Sequence, residues 1–456
     1  MASPITIDWK NFIAGESQSD FLPDKGFSTL SSNLNLTRSR GKLHFSPSST
    51  DRGGSTLTGN IVASANDVNN LGNDKYFIDD EGAVYTLNGS TFTKRQTIDE
   101  AAGGDFVLGT TDMLQFKLNT YITSDDTIHE LTGSDLATTE NWWSGLDGTK
   151  RHPLEQIEDE MFIGDGNTIF FWNGTSSGTA FTLPTEQNVT SLRKHPDGRT
   201  LLAFTGKTID FSHTRPSAGR VYYCDPTLRD WTREVDLEAQ VEGSRVTGGV
   251  VYVTWGTNFG FFDGSGLQFI RKFETSTTTY SHNISNWEDI LLVRDGRHIL
   301  AYGDLGAGKV WWKMLRNPGA EEINNISYKG DNVILMAFAD NSAGDLIEFD
   351  MDNAGANDSF YANRMNFGQE VEIKRIEIIH DESDSAGDTN FDVISVRPDA
   401  AGTLDTIEEI RYTNTSITKT TINTDIKTDN FQPRIRLLSD DIGFRIIRIF
   451  YDPIGE

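Results

Sequence analysis

The sequence repeats one pattern of apolar and turn-forming residues seven times, and this repetition limits the fold more than any other feature. Each copy contains an apolar, β-branched or aromatic run, then a polar turn of Asp, Asn and Gly, then a second apolar run. Counted from the first residue of each copy, the intervals are 45, 40, 40, 50, 39 and 43 residues; the copies begin at Tyr76, Tyr121, Met161, Leu201, Val251, Ile290 and Val333. Such intervals are typical of four-stranded propeller blades. The spacing predicts a β-propeller of six to eight blades in residues 51–365.

Short Asn-Gly and Asp-Gly pairs separate the strand-like runs within several copies. Examples are Asn88-Gly89, Asn173-Gly174 and Asp263-Gly264. Because Asn and Asp tolerate positive φ, these pairs favour tight hairpins between twisted strands.

The rhythm changes near Asn366, after which strand-like runs become denser. Along these strands apolar residues alternate with polar ones, and the alternation switches from one set of positions to the other at Lys374-Arg375 and again at Ile446-Ile447. A β-bulge at each place would explain the switch. Residues 366–456 are therefore predicted to form a separate antiparallel β-sandwich or jelly-roll-like domain. Residues 1–50, rich in Ser, Asn and Gly, are predicted to be an N-terminal arm or an edge contribution to the propeller. The expected fold class is all-β.

The charge balance limits the choice of partners. Forty Lys and Arg oppose 67 Asp and Glu, for a formal net charge of -27. A chain with this charge repels polyanions, so we do not expect it to wrap nucleic acid independently of sequence. Both parts are acidic, with a net charge of -8 in residues 366–456 and -19 in the rest.

Cysteine content and hydropathy exclude two further classes. Cys224 is the single cysteine, so neither an intrachain disulfide nor a Cys-rich metal site can form. The N-terminal residues lack the basic and apolar regions of a secretory signal, and no stretch approaches 18 apolar residues. We expect synthesis in the cytoplasm and no membrane-spanning segment.

Two short motifs match catalytic or nucleotide-binding patterns only in part. The run from Gly303 to Lys309 fits a phosphate-binding loop, but Val310 replaces the required Ser or Thr, and a strand-like run follows instead of a helix. A hairpin turn is the favoured interpretation. The run from Gly174 to Gly178 has the letters of a nucleophile elbow, but no helix follows, so a Gly/Ser loop is favoured.

Metal binding finds limited support. The eight histidines show no HxH or HExxH spacing; they are His44, His129, His152, His195, His213, His282, His298 and His380. The segment from Asp381 to Asp392 places oxygen ligands around Gly387, as Ca²⁺ prefers, but without the spacing of an EF-hand. A Ca²⁺ site there stays open beside an ordinary solvated loop. We assign no catalytic, cofactor-binding or metal residues, and we expect no enzymatic activity.

Two tryptophan pairs, Trp142-Trp143 and Trp311-Trp312, could stack on sugar rings. Neighbouring residues on a strand point to opposite faces, so one member of each pair is expected in the core and the other at the surface. Glycoside hydrolysis needs two carboxylates about 5 to 9 Å apart, and 67 acidic residues single out no such pair.

Three features together carry a resemblance to a known family. They are the N-terminal run from Phe12 to Pro23 with the segments 32–36 and 41–43 after it, the irregular blades without enzyme motifs, and the C-terminal segments 431–436 and 444–453. The chain resembles the tail nozzle or tail accessory proteins of short-tailed bacteriophages, which are β-propellers with appended β-domains. The resemblance covers nearly the full length at the level of architecture.

The resemblance implies a structural virion protein of the phage tail, made in the host cytoplasm. It implies a hexameric ring that extends the DNA channel below portal and adaptor proteins, docks tail fibres, and lets double-stranded DNA pass without specific binding. An acidic channel wall would suit this role, because it repels the phosphate backbone. One alternative is a receptor- or glycan-binding tail protein, and a second is a propeller-type polysaccharide hydrolase.

Overall fold

The computed structural model describes most of the chain, in segments. These are residues 5–10, 34–35, 44–45, 47–66, 75–99, 105–133, 136–206, 218–273, 284–304, 308–316, 322–338, 344–354, 359–361, 365–380, 389–396, 404–412, 419–431, 433–437 and 444–454. The chain divides into two compact units. The propeller unit comprises Thr50–Arg297 and Asn317–Glu348, and the terminal unit comprises Met1–Ser49, His298–Arg316 and Phe349–Glu456.

Seven four-stranded sheets follow one another in the described part of the chain, one for each sequence repeat. Sheet 1 contains β5 (Ile61–Asn66), β6 (Lys75–Asp79), β7 (Ala83–Asn88) and β8 (Thr91–Thr97). Sheet 2 contains β9 (Met113–Phe116), β10 (Asn119–Thr123), β11 (Thr127–Thr132) and β12 (Ala137–Ser144). Sheet 3 contains β13 (Leu154–Ile157), β14 (Glu160–Asp165), β15 (Thr168–Trp172) and β16 (Ser177–Thr182).

The remaining sheets of the series have the same order. Sheet 4 contains β17 (Asn188–Lys194), β18 (Leu201–Gly206), β19 (Gly219–Asp225) and β20 (Asp230–Leu237). Sheet 5 contains β21 (Gly243–Thr247), β22 (Val250–Trp255), β23 (Asn258–Phe262) and β24 (Leu267–Lys272). Sheet 6 contains β25 (Ile284–Trp287), β26 (Ile290–Asp295), β27 (His298–Asp304) and β28 (Lys309–Arg316). Sheet 7 contains β29 (Ile323–Gly330), β30 (Val333–Phe338), β31 (Asp345–Ala354) and, as its fourth strand, β4 (Pro47–Asp51).

The first strands of the seven sheets all lie in the propeller unit and form a closed ring. The first strand of each sheet contacts the first strand of the next, and β29 of sheet 7 contacts β5 of sheet 1. Hydrophobic clusters fill the spaces between sheets 1 and 2, 2 and 3, 3 and 4, 4 and 5, and 7 and 1. Because strands near the ring centre are covered on both faces, they carry continuous apolar runs; all five residues of β6 are buried, whereas the outer strand β8 is largely exposed. This arrangement confirms the predicted β-propeller, with seven blades.

The N-terminal region fastens the ring at sheet 7. Beside β4, the Arg52 and Gly53 amides both donate to the Leu346 carbonyl, at 2.8 and 3.2 Å. Glu348 accepts from Arg52 Nη2 at 2.7 Å and from Lys329 Nζ at 3.2 Å. A short 3-10 helix, Gly54–Thr56, follows. β4 therefore completes sheet 7, although it lies almost 300 residues before the other three strands of that sheet.

The Asn-Gly and Asp-Gly pairs lie between β7 and β8, β15 and β16, and β23 and β24, as expected. Positive φ occurs at the glycines, at 92° for both Gly174 and Gly264, and not at the preceding residue. The side chain of Asn173 instead accepts hydrogen bonds from the Thr175 and Ser176 amides, and Asp263 does the same for Ser265 and Gly266. Asn and Asp are therefore used here as side-chain acceptors rather than for positive φ.

The terminal unit contains two further four-stranded antiparallel sheets, and their packing into the expected sandwich stays a prediction. One has the order β1 (Ile5–Lys10), β38 (Phe444–Pro453), β33 (Met365–His380), β36 (Lys419–Phe431). The other has the order β32 (Ser359–Tyr361), β37 (Pro433–Leu437), β34 (Thr389–Val396), β35 (Leu404–Tyr412). A two-stranded sheet pairs β2 (Leu34–Asn35) with β3 (His44–Phe45). The N-terminal residues predicted as an arm thus also supply β1.

The first of the two predicted bulges is confirmed, and the second lies one residue before its predicted place. The register of β33 shifts between Ile373 and Arg375 against both neighbours. In β38 the register against β33 shifts between Ile446 and Phe444, so Arg445 is the extra residue, while the pairing with β1 runs without a shift from Ile446 to Tyr451. Ile446 lies directly after this shift and is half-buried, whereas Ile447 and Ile449 are buried.

Candidate functional site in the axial cavity

A polar cavity of about 230 Å³ lies on the axis of the seven-sheet ring. Every first strand of the seven sheets contributes to its wall, so we call it the axial cavity. The lining residues are Ser64, Ala65, Asn66, Lys75, Asp112, Met113, Leu114, Gln115, Leu154, Glu155, Arg193, Arg245, Ile284, Ser285, Asn325, Ile326 and Ser327. First strands converge on the axis of a propeller, which explains why side chains from distant repeats meet here.

Three basic side chains face two acidic ones in this lining. Arg193 contacts Glu155 through Nη1 and Oε2 at 3.1 Å, and its Nε donates to the Ser244 carbonyl at 2.6 Å. The two carboxylate oxygens of Asp112 accept from the amides of Met113 and Leu154, at 2.9 and 3.0 Å. The acidic members of the lining are therefore already engaged by neighbouring groups.

The pKa values of Lys75 and Arg245 are both lowered in the cavity. Lys75 is 3% exposed and donates from Nζ to Asn66 Oδ1. Burial, and then repulsion from Arg245, lowers the pKa of Lys75 to about 7. Burial and the nearby Arg193 likewise hold the pKa of Arg245 below its usual range, while Glu155 and Asp112 counteract this only in part. Positive charge at this point of the ring is thus incompletely compensated.

Two buried donors on β29 complete the lining. Asn325 is 2% exposed; its Oδ1 accepts from Ser64 Oγ at 2.9 Å, and its Nδ2 has no hydrogen-bond partner within the described residues. Ser327 is 4% exposed, and its Oγ also finds no partner there. Buried donors of this kind are normally satisfied by protein, water or ligand. The arrangement can bind and orient an acceptor-rich group.

The sequence analysis did not identify these residues. Lys75, Arg193 and Arg245 are separated by more than 50 residues from one another and belong to no motif. A signal was present for part of the lining, because Glu155, Arg245 and Ser285 each pair with the residue seven positions later, in the first hairpins of sheets 3, 5 and 6. Alignment of the repeats by their first hairpin would have placed these three on the axis, but not Lys75, which lies on the second strand of sheet 1.

The two partial motifs are hairpin loops, as predicted. β27 and β28 pair from Asp304 and Lys309 onward, and the Gly308 amide donates to Asp304 Oδ1 at 3.1 Å, while residues 305–307 lie outside the described part. No helix begins after Lys309, where β28 runs instead. Ser176 lies in the β15–β16 loop, where its Oγ accepts from Asn173 Nδ2 at 2.9 Å.

The described histidines do not gather around one point. His129 lies beside Phe106, and its Nε2 is 3.2 Å from Thr127 Oγ1. His152 links sheets 2 and 3, since Nε2 faces the Asp125 carbonyl at 2.8 Å and Nδ1 faces the Gly164 carbonyl at 3.1 Å. Across the residues that the structure describes, no three His, Cys, Asp or Glu side chains come together as a metal site. His213, His282 and residues 381–388 of the acidic loop lie outside them, so the Ca²⁺ expectation stays a prediction.

The tryptophan pairs differ from each other. Trp312 is fully buried, whereas Trp311 is half-buried and stacks on Tyr302 at 4.5 Å, as strand alternation predicts. Trp142 and Trp143 are instead both half-buried and contact one another at 5.7 Å. A register shift opposite His129 in β11 breaks the alternation, so both rings join the aromatic cluster between sheets 2 and 3.

Comparisons with known proteins give little further information. No protein-family model matches the chain, and no curated protein sequence matches it. One similar solved structure is described as "YCF48 bound to D1 peptide", with a TM-score of 0.45 and 10% sequence identity, covering 66% of this chain and 96% of that chain. In the part of the chain that the structure describes, no helix has the length and apolar character needed to cross a membrane.

Proposed function

We propose that this protein is a structural virion component, a nozzle-type subunit of a short-tailed bacteriophage tail. The observation that carries the proposal is the architecture, a closed seven-sheet propeller with two further four-stranded sheets in the terminal unit. This is the arrangement that the sequence resemblance implies. The acidic charge of -27 supports the proposal, because a wall that repels phosphate lets DNA move without sticking.

In this proposal DNA passes through a ring of copies and not through the propeller itself. A sphere of about 230 Å³ is roughly 8 Å across, whereas the major groove of a duplex alone is about 12 Å wide. The channel must therefore be formed between subunits, most simply by a hexamer with head-to-tail interfaces. Portal, adaptor and fibre proteins would dock on the same ring.

Sedimentation velocity of the purified full chain tests the proposal. Six copies of the 50.7 kDa chain have a mass of about 304 kDa, which is the expected main species, either alone or after addition of portal and adaptor proteins. A chain that stays monomeric up to high concentration and never joins a tail-like particle would contradict the proposal.

A receptor- or glycan-binding role is the second candidate, favoured by one observation. Trp142, Trp143 and Trp172 form a half-exposed group in which ring centroids lie 5.1 to 5.7 Å apart. Such rings can stack on sugars. Binding on a glycan array that Trp143→Ala abolishes and Trp231→Ala preserves would support this role, since Trp231 is half-buried on another sheet against Tyr222.

A further inference from the structure

The axial cavity concentrates positive charge that Asp112 and Glu155 neutralise only in part. The side chain of Arg245 makes no hydrogen bond or ion pair within the described residues, and its charged neighbours are Arg193, Glu155 and Asp112. Lys75 and Arg193 line the same cavity, and each lies close enough for electrostatic repulsion with Arg245. Like charges brought together away from water are costly, and an anion placed among them removes that cost.

The carboxylates of the lining do not fill this role. Both oxygens of Asp112 accept from backbone amides, and Glu155 is held by Arg193. Arg245 is therefore left facing the cavity with its guanidinium donors available. Guanidinium groups bind oxyanions through two parallel hydrogen bonds, which gives both energy and orientation.

Neutral donors stand beside the cations. Asn325 Nδ2 and Ser327 Oγ are buried, lack partners within the described residues and line the same cavity. Arg245, Lys75, Asn325 and Ser327 all offer donors to the cavity, so a ligand that suits them carries several acceptor oxygens and negative charge.

We propose that the axial cavity binds a small, doubly charged oxyanion such as sulfate, phosphate or a short dicarboxylate, with Arg245 and Lys75 as its charged ligands and Asn325 and Ser327 as hydrogen-bond donors. The site is independent of the proposed tail function, because it lies within a single chain. Its size admits a small ion and excludes a nucleic-acid strand with its bases.

Isothermal titration calorimetry of the full chain with sodium sulfate, sodium phosphate and sodium malonate tests the proposal, with sodium chloride at matched ionic strength as the reference. At least one of the three anions should bind saturably at one site per chain, and the preferred anion identifies the ligand geometry. Arg245→Gln should weaken that binding at least tenfold. Arg233→Gln is the matched control and should leave it unchanged, because Arg233 is exposed and lies outside the cavity.

Sulfate also provides a readout that depends on Lys75 and not on the fold. Arg245 and Arg193, opposed by Asp112 and Glu155, are the charged groups around this lysine. With the pKa of Lys75 at about 7 in the empty cavity, sulfate binding should take up a proton. Sulfate does not titrate in this range, so its affinity should fall about tenfold per pH unit above pH 7.

Proton uptake is measured by repeating the sulfate titration in buffers of different ionisation enthalpy, and Lys75→Met should abolish it. If Arg245→Gln fails to fold, Ser327→Ala serves as the second variant and should weaken binding several-fold. Absence of saturable binding by all three anions to the wild-type chain would overturn the proposal. Equal binding by wild type and a folded Arg245→Gln variant would overturn it as well.

Discussion

At the scale of single residues, the buried carboxylate of Asp79 organises the turn between β6 and β7. One oxygen accepts from the Ala83 and Glu81 amides, at 2.7 and 3.1 Å, and the other accepts from Thr58 Oγ1 and the Tyr85 hydroxyl, at 3.0 and 2.6 Å. Burial, and then the bond to Asp79, raises the pKa of Tyr85 above its usual range. Four donors thus converge on one side chain.

We expect Asp79→Asn to lower the free energy of unfolding by about 2 to 3 kcal/mol. The amide nitrogen is itself a donor, so it cannot accept the hydrogen bonds that one carboxylate oxygen accepts in the wild type. Tyr85→Phe, which removes one donor and leaves the carboxylate satisfied by the others, should cost about 1 kcal/mol. Urea titrations of both variants measure the difference. Equal stability of Asp79→Asn and wild type would contradict this role for Asp79.

Cys224 gives a second prediction at this scale. The side chain is fully buried, and burial, with a smaller effect of Asp230, raises the pKa of the thiol to about 12. Because the thiolate is the reactive form, the native protein should not react with a chromogenic disulfide reagent at pH 8. One thiol per chain should react after unfolding in guanidinium chloride. Rapid modification of the native protein would show that the site is open.

At the scale of elements, the contact of Glu348 with Arg52 and Lys329 joins the end of β4 to sheet 7. Burial raises the pKa of Glu348, but hydrogen bonds and charge from Arg52 and Lys329 outweigh it, so the net pKa lies below the usual value. A depressed carboxyl pKa stabilises the fold at neutral pH, and that stabilisation is lost as the pH falls below the usual Glu value of about 4.5.

Glu348→Gln should therefore lower the free energy of unfolding by about 2 kcal/mol at pH 7, since it leaves two cations without their partner. The variant should also lose less stability than wild type between pH 5 and about pH 3. Chemical denaturation at pH 7, 5 and 3 gives both values. A wild-type and a variant curve that stay parallel over this range would contradict the assignment.

Gly260 allows a matched test within sheet 5. A Cβ atom there would lie 1.9 Å from the Gln268 carbonyl oxygen and 2.7 Å from Trp255, at the register shift between β23 and β24. Gly260→Ala should cost more than about 2 kcal/mol, whereas Gly266→Ala, with open space around its Cβ, should cost less than about 1 kcal/mol. Thermal unfolding compares the two. Similar melting temperatures would show that sheet 5 is packed differently.

Local patterns predicted the elements that depend on neighbouring residues. Hairpins at Asn173-Gly174 and Asp263-Gly264 and the bulge near Lys374 follow from turn chemistry and parity. β1 and β4 were not predicted as strands of particular sheets, because their partners lie hundreds of residues away and pairing at that distance leaves no local periodicity. Parity placed the second bulge one residue too late, because the half-buried Ile446 beside Arg445 is apolar and resembles a core position.

At the scale of the whole molecule, the repeat interval predicted the propeller, and the structure gives it seven sheets. The axial cavity could not be predicted from the same intervals, since Arg193 and Arg245 meet Lys75 only once the ring has closed. The acidic total of -27 gave no indication of a locally basic interior. The domain limits near residues 50 and 366 remain predictions, as do the partners of the ring and the charge of its channel.

Single-particle electron microscopy of the purified full chain tests the central claim most directly. The account predicts a closed ring of copies around an open central hole, with a seven-sheet propeller in each copy. Isolated single copies that do not associate, with or without portal and adaptor proteins, would contradict it.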